Sequence, residues 1–219
     1  IINLTMREYG IEGTNAFSGT FMPDRDDVQK RKTIPDNAIW VIQQKCREQD
    51  DELRWIISLI SDTGMRLSEA LGLCKDDVHL EAATPFVEIR THPWRRLKTP
   101  SSNRKVPLVG EALWAAQRAY QASQSNHLFP RYCDGKQVKA NSASAALNKW
   151  IKCQTNDDYV IHGFRHSMRD RLRAVQCPSD VIDQLGGWST AGIGQSYGEG
   201  YNINSLHDWM ARILPNKIC

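Results

Sequence analysis

Several things are missing from this sequence of 219 residues, and each absence narrows its function. The densest apolar stretch, Trp55 to Ile60, is interrupted by Ser58, so no segment reaches membrane-spanning length. The start, with Ile at position 1, lacks the basic-then-apolar layout of a secretory leader. The expectation is therefore a fragment of a longer protein. The six cysteines (46, 74, 133, 153, 177 and 219) include no Cys-x-x-Cys pair, which argues against a zinc framework. They read as reduced thiols in a cytoplasmic protein, since a chain of this length needs no covalent staples. There is no Walker loop, no acidic metal cluster, no internal repeat and no low-complexity tract. With 41% hydrophobic and 24% charged residues, the chain is an ordinary globular protein.

The charge that is present is segregated. Between Arg90 and Lys105 lie Arg90, Arg95, Arg96, Lys98, Arg104 and Lys105 without a single acid. A second group, Arg165, Arg169, Arg171 and Arg173, has only Asp170 beside it. The net charge is just +3, so the clustering is what points to a polyanion partner.

Residues 1–32 carry no clear periodicity and read as a lead-in. Thr33-Ile34-Pro35-Asp36 reads as a capping-box start, with Ile39, Ile42 and Cys46 on one face of the helix that follows. A second helix places Leu53, Ile56, Ile57 and Ile60 inward and stops at Thr63-Gly64. A third opens at once with Leu67, Ala70 and Leu71 inward. Phe86 to Arg90 alternates like a strand, and Lys105 to Leu108 can pair back to it across the basic loop. Helical patterns return over 111–122, 142–152, 163–175 and 178–185, the last closed by Gly186-Gly187. Ile203, Leu206, Met210 and Ile213 mark a final amphipathic helix. The expected fold class is α+β, mostly α, with one small antiparallel sheet.

Two local constellations carry chemistry. Arg66 follows the Thr63-Gly64 turn at a helix start, where a guanidinium and backbone N–H groups favour an anion, and Glu69 is three residues on to orient it. His162-Gly163-Phe164-Arg165-His166 offers imidazole and guanidinium within one turn. His162 and His166 have i, i+4 metal spacing, but no Glu follows the first histidine and Gly163 weakens the helix, so no metal is expected there.

These segments resemble the tyrosine recombinases of the phage integrase family. Thr63-Gly64-Met65-Arg66-Leu67-Ser68-Glu69-Ala70-Leu71 is similar to the family's first arginine box, and His162-Gly163-Phe164-Arg165 to its His-x-x-Arg box. Leu185-Gly186-Gly187-Trp188 resembles its Leu-Gly-His/Trp box in the tryptophan form. Tyr197 lies nine residues past Trp188, the family spacing for the nucleophile. Leu97-Lys98-Thr99, before Arg104-Lys105-Val106-Pro107-Leu108, looks like its catalytic lysine turn. The resemblance spans roughly residues 33–213 and implies a catalytic domain over 33–219. Family members usually carry a helical core-binding domain before the catalytic one, and the resemblance implies that only the lead-in of 1–32 precedes it in this sequence.

The resemblance implies a site-specific recombinase that breaks and rejoins DNA through a 3′-phosphotyrosine link without metal, ATP or cofactor. Arg66 and Arg165 would hold the phosphate oxygens in forked hydrogen bonds. Trp188 would donate its single N–H, Lys98 would protonate the leaving 5′ oxygen, and His162 would accept or orient the proton of Tyr197. Lys105 is the alternative to Lys98, and Tyr201 the alternative nucleophile. Arg95, Arg96, Arg104 and Lys105 are expected to contact DNA phosphates. The implied partner is double-stranded DNA, bound by a homotetramer of the full-length protein or by a monomeric fragment, with no membrane. Competing classes are a type IB topoisomerase, a non-catalytic DNA-binding protein of the same fold, and a metal-dependent nuclease. The last is disfavoured by the lack of clustered carboxylates.

Overall fold

The computed structural model describes residues 2–20, 32–155, 157–189 and 200–214. The chain divides into two units, Ile1–Lys30 and Arg31–Cys219. In the first, helix α1 (Ile2–Glu8) buries no residue. Asn15 donates to Asn3 Oδ1 (2.8 Å) and accepts from the Phe17 N–H (2.9 Å). A helix with no buried face leaves no apolar period to read, in keeping with the lack of clear periodicity over 1–32.

The second unit runs α2 (Asp36–Gln49), α3 (Glu52–Thr63), α4 (Leu67–Leu71), β1 (Val78–His79), β2 (Phe86–Ile89), β3 (Arg104–Pro107), α5 (Gly110–Ala122), α6 (Ala140–Thr155), α7 (Gly163–Ala174), α8 (Ser179–Gly186) and α9 (Ile203–Ala211). Helix α3 is its axis. Every residue from Ile56 to Thr63 is buried, because α2, α5 and α7 all pack around it. Its ends are set locally: the Asp51 side chain accepts from the Arg54 N–H, and Gly64 closes the helix in the left-handed conformation. Truncating a side chain such as Ile57 to alanine here would cost about 2–5 kcal/mol.

The sheet is antiparallel in the order β1-β2-β3. Val87 faces Val106 and Ile89 faces Arg104 across β2 and β3, and all four are buried. Period-two alternation thus turns Arg104 inward with Val106 while Lys105 points out. A second apolar cluster joins Met168, Leu172, Val181, Ile182 and Leu185 to Leu206 and Met210 of α9. The apolar face of α9 is therefore covered by its own chain.

One local reading differs in the structure. Thr33 does not cap α2: the position before the helix is Pro35, with no side-chain cap, and the Ile34 N–H instead donates to Ser167 Oγ on α7 (2.7 Å). The third helix runs over Leu67–Leu71, with Ala70 and Leu71 buried. Five cysteines among the described residues are free thiols, four of them buried. No described helix is long and apolar enough to cross a membrane.

Candidate active site

Arg66 stands at the head of α4, where the chain leaves α3 through Gly64. Its Nη1 donates to Glu69 Oε1 (2.6 Å) and Ser102 Oγ (3.0 Å). Glu69 Oε2 in turn accepts from the Arg66 backbone N–H (2.9 Å), so one carboxylate fixes both the main chain and the side chain of this arginine. Burial pushes the Glu69 carboxyl up. The Arg104 charge and hydrogen bonds, with those from Arg66, outweigh that and hold it below the usual range.

Arg165 comes from the first turn of α7 and is 3% exposed. Its Nη1 donates to Gly64 O (2.9 Å), two residues before Arg66, and its Nη2 donates to Gly186 O at the end of α8. The guanidinium thus ties the first arginine box to the Leu-Gly-Gly-Trp segment. Burial, with Arg66 and Arg104 nearby, lowers its pKa to about 9. Crowding three guanidiniums around one carboxylate leaves excess positive charge, an arrangement suited to an anion.

Trp188 follows α8 through the glycine pair. Arg165 and Arg169 lie over its ring at 4.2 and 4.8 Å from the centroid. Gly186 is required there, because a Cβ would fall 1.8 Å from the Trp188 ring. Gly187 closes α8 at φ 63°, and a Cβ on it would fall 2.8 Å from Arg104 Nη1. His162 occupies the position just before α7, one turn before Arg165, and is half-buried, its ring edge-on to His166 at 5.1 Å.

Lys98 is exposed, and its neighbour Thr99 hydrogen-bonds Ser102 Oγ (2.9 Å), the same oxygen that accepts from Arg66. The lysine turn is thereby anchored to the arginine box. Arg96 and Lys105 are exposed, with the Lys105 ammonium 5.2 Å from the Phe86 ring.

Arg95 and Arg104 are not surface phosphate contacts. Arg95 is 3% exposed and donates to Glu69 O and Arg90 O (both 2.6 Å). Arg104 is 6% exposed and donates to Glu69, Leu185 O and Ser102 O. The basic stretch looked free of acids only along the chain; in space Asp77 and Glu69 lie beneath it. Asp77 pairs with Arg90 (2.7 Å) and His92 (2.8 Å). Signals were present in the sequence: the strand period turns Arg104 in, and Pro93 sets the tight His92–Arg95 turn that tucks Arg95 under. Ser102, which links Arg66 to the lysine turn, was missed outright.

Tyr197 lies in 190–199, outside the described residues. The alternative, Tyr201, has its hydroxyl donated to Asp180 Oδ2 (2.7 Å), and this bond raises its pKa. Asp180 is in the first turn of α8 while Trp188 follows the last, roughly 12 Å along the helix axis. Among the described residues, Cys74, Asp77 and His92 are the group with metal-ligand donors close together. The Asp77 carboxylate there already accepts from Arg90, His92 and the Cys74 N–H (3.1 Å), which is a satisfied ion-pair network.

The sequence model of the phage integrase family matches residues 33–201. The chain belongs to the phage integrase family. Curated relatives include tyrosine recombinase XerD of Corynebacterium glutamicum, 28% identical over 66% of this chain and 47% of the relative. Tyrosine recombinase XerC of Mycobacterium tuberculosis is 25% identical over 68% of this chain and 51% of the relative. The chain spans about half the length of these relatives. Among solved structures, the Tn1549 transposon integrase in complex with transposon right end DNA shares the fold. Its TM-score is 0.61 at 17% identity, covering 96% of this chain and 75% of that one. XerH recombinase bound to its difH substrate, in a pre-cleavage complex, gives 0.53 at 15% identity, over 94% of this chain and 59% of that one. Family membership accounts for the order of the boxes, and the mostly helical fold with one small antiparallel sheet agrees with it.

Proposed function

We propose that this chain is the catalytic portion of a site-specific DNA recombinase that cleaves one strand through a 3′-phosphotyrosine link and reseals it without metal or ATP. The observation that carries the reading is the convergence of Arg66 and Arg165. They come from separate elements, yet Arg165 bonds the carbonyl of Gly64, two residues from Arg66. Trp188 is held against Arg165. Arg66 uses only Nη1 in its described side-chain bonds, which leaves Nε and Nη2 to donate to a phosphate.

In the step proposed, Tyr197 Oη attacks phosphorus and loses its proton to His162 or to water. The two arginines and the Trp188 N–H neutralise charge on the non-bridging oxygens. The bond to the 5′ oxygen breaks, and that oxygen takes a proton from Lys98. The reverse step restores the phosphodiester, so the bond energy is conserved in the protein–DNA link. The substrate is double-stranded DNA in a bacterial cytoplasm, and the full-length protein works as a homotetramer across two duplexes.

The test is a nicked suicide duplex incubated with the chain in the presence of a chelator. A covalent protein–DNA adduct is expected. Free cleaved ends that appear only with magnesium would replace this reading with a metal-dependent nuclease. Tight binding without any adduct would leave a non-catalytic DNA-binding protein.

A further inference from the structure

Arg104 makes a set of contacts that no single segment would need. Its Nε donates to Leu185 O (2.8 Å) and its Nη2 to Glu69 Oε2 (2.9 Å). Its Nη1 donates to Ser102 O (2.9 Å) and Glu69 Oε1 (3.3 Å). Four of its five N–H groups are thus used within the chain, and its side chain is 3% exposed. No forked pair is left for a DNA phosphate. The four bonds reach three separate segments: the arginine box through Glu69, the lysine turn through Ser102, and the glycine–tryptophan segment through Leu185. Each bears a residue of the proposed chemistry, namely Arg66, Lys98 and Trp188.

We infer that Arg104 is a positioning residue for strand cleavage, acting through Glu69 on the Arg66 guanidinium while holding the other two segments in register. Glu69 has four donors to satisfy its two oxygens, two from Arg66 and two from Arg104. Arg104 approaches with a planar fork, so the carboxylate plane is fixed, and with it the direction in which Arg66 presents its remaining edge. A lysine could neutralise Glu69 but could not fix that plane or span to Leu185 O and Ser102 O at once. Gly187 completes the device, since any Cβ there would meet Arg104 Nη1 at 2.8 Å.

The proposal rests on the cleavage reading above, and its experiment separates the two. If the parent chain forms no adduct on the suicide duplex, the cleavage reading itself fails. With adduct formation established, single-turnover kinetics of Arg104→Lys give rate constant and amplitude separately. The expected result is a rate constant lower on the order of a hundredfold, with amplitude and DNA affinity near those of the parent. In an Arg66→Lys background the same change should add little, because both act on one guanidinium. A reduced amplitude at unchanged rate constant would overturn the proposal in favour of a purely structural arginine. Weaker DNA binding with a shallower salt dependence would overturn it in favour of a direct phosphate contact. Full additivity with Arg66→Lys would also overturn it. Should Arg104→Lys fail to fold, Glu69→Gln keeps the shape and removes the charge. It should show the same rate-constant loss, and a parental rate constant there would refute the proposal.

Discussion

Arg165 lies over the ring of Trp188, its guanidinium carbon 4.2 Å from the centroid, while the same guanidinium donates to the carbonyls of Gly64 and Gly186. The tryptophan therefore has two separable functions, a face that supports a cation and an N–H that can donate. Trp188→Phe keeps a weaker version of the face and removes the N–H. It should fold with a melting temperature within a few degrees of the parent, while cleavage falls about tenfold or more, as expected for loss of one donor to developing charge. Trp188→Ala removes both and should lose thermal stability as well. Parental cleavage by Trp188→Phe would assign the residue to packing alone.

The cluster of Arg66, Arg104 and Arg165 around Glu69 should be relieved by an oxyanion. Vanadate or tungstate at about a hundred times its dissociation constant would stabilise the fold by about 2.7 kcal/mol. For a chain of this size that corresponds to roughly 5–10 °C in melting temperature. The shift should vanish in Arg66→Ala and shrink in Arg66→Lys, since an ammonium cannot replace the fork. An equal shift with chloride at matched ionic strength would argue against a phosphate site.

The lysine turn is predicted to act chemically. Lys98→Ala should cleave ordinary DNA slowly and recover on a duplex with a bridging 5′ sulfur, whose leaving group needs no proton. Arg66→Ala should not recover. Equal defects on both substrates would make Lys98 a backbone contact and move the acid role to Lys105, which shares the exposed side of the hairpin.

The hairpin charges divide by burial. Arg96→Ala and Lys105→Ala, at exposed positions, should weaken DNA binding with little sequence dependence and reduce the salt slope by roughly one unit each. Arg95→Ala should instead destabilise the fold, by about 1–3 kcal/mol, because it leaves the Glu69 and Arg90 carbonyls without their buried donor under the loop. A salt-slope change from Arg95→Ala without loss of stability would contradict this division.

Much of the helical order was legible because apolar periodicity records burial directly. Ile56, Ile57 and Ile60 of α3 and Leu206 and Met210 of α9 are inward as their spacing implies. Helix α1 was not legible, since it buries nothing. Arg66, Glu69 and Arg165 could be found as local boxes. The partners of Arg95 and Arg104 could not, because Glu69 is 26 and 35 residues away and linear charge counting cannot see across that distance. Ser102 carried no signal of its own, its role arising only where the lysine turn meets the arginine box.

Tyr197 is the residue proposed to form the bond to DNA. Residues 174–212 contain no lysine or arginine before Arg212, so one tryptic peptide carries both Tyr197 and Tyr201. Fragment-ion mapping of the adduct from the suicide duplex must therefore locate the nucleotide within that peptide. A nucleotide mass is expected on Tyr197, lost in Tyr197→Phe and kept in Tyr201→Phe. A nucleotide mass on Tyr201, or an adduct that persists in Tyr197→Phe, would contradict it.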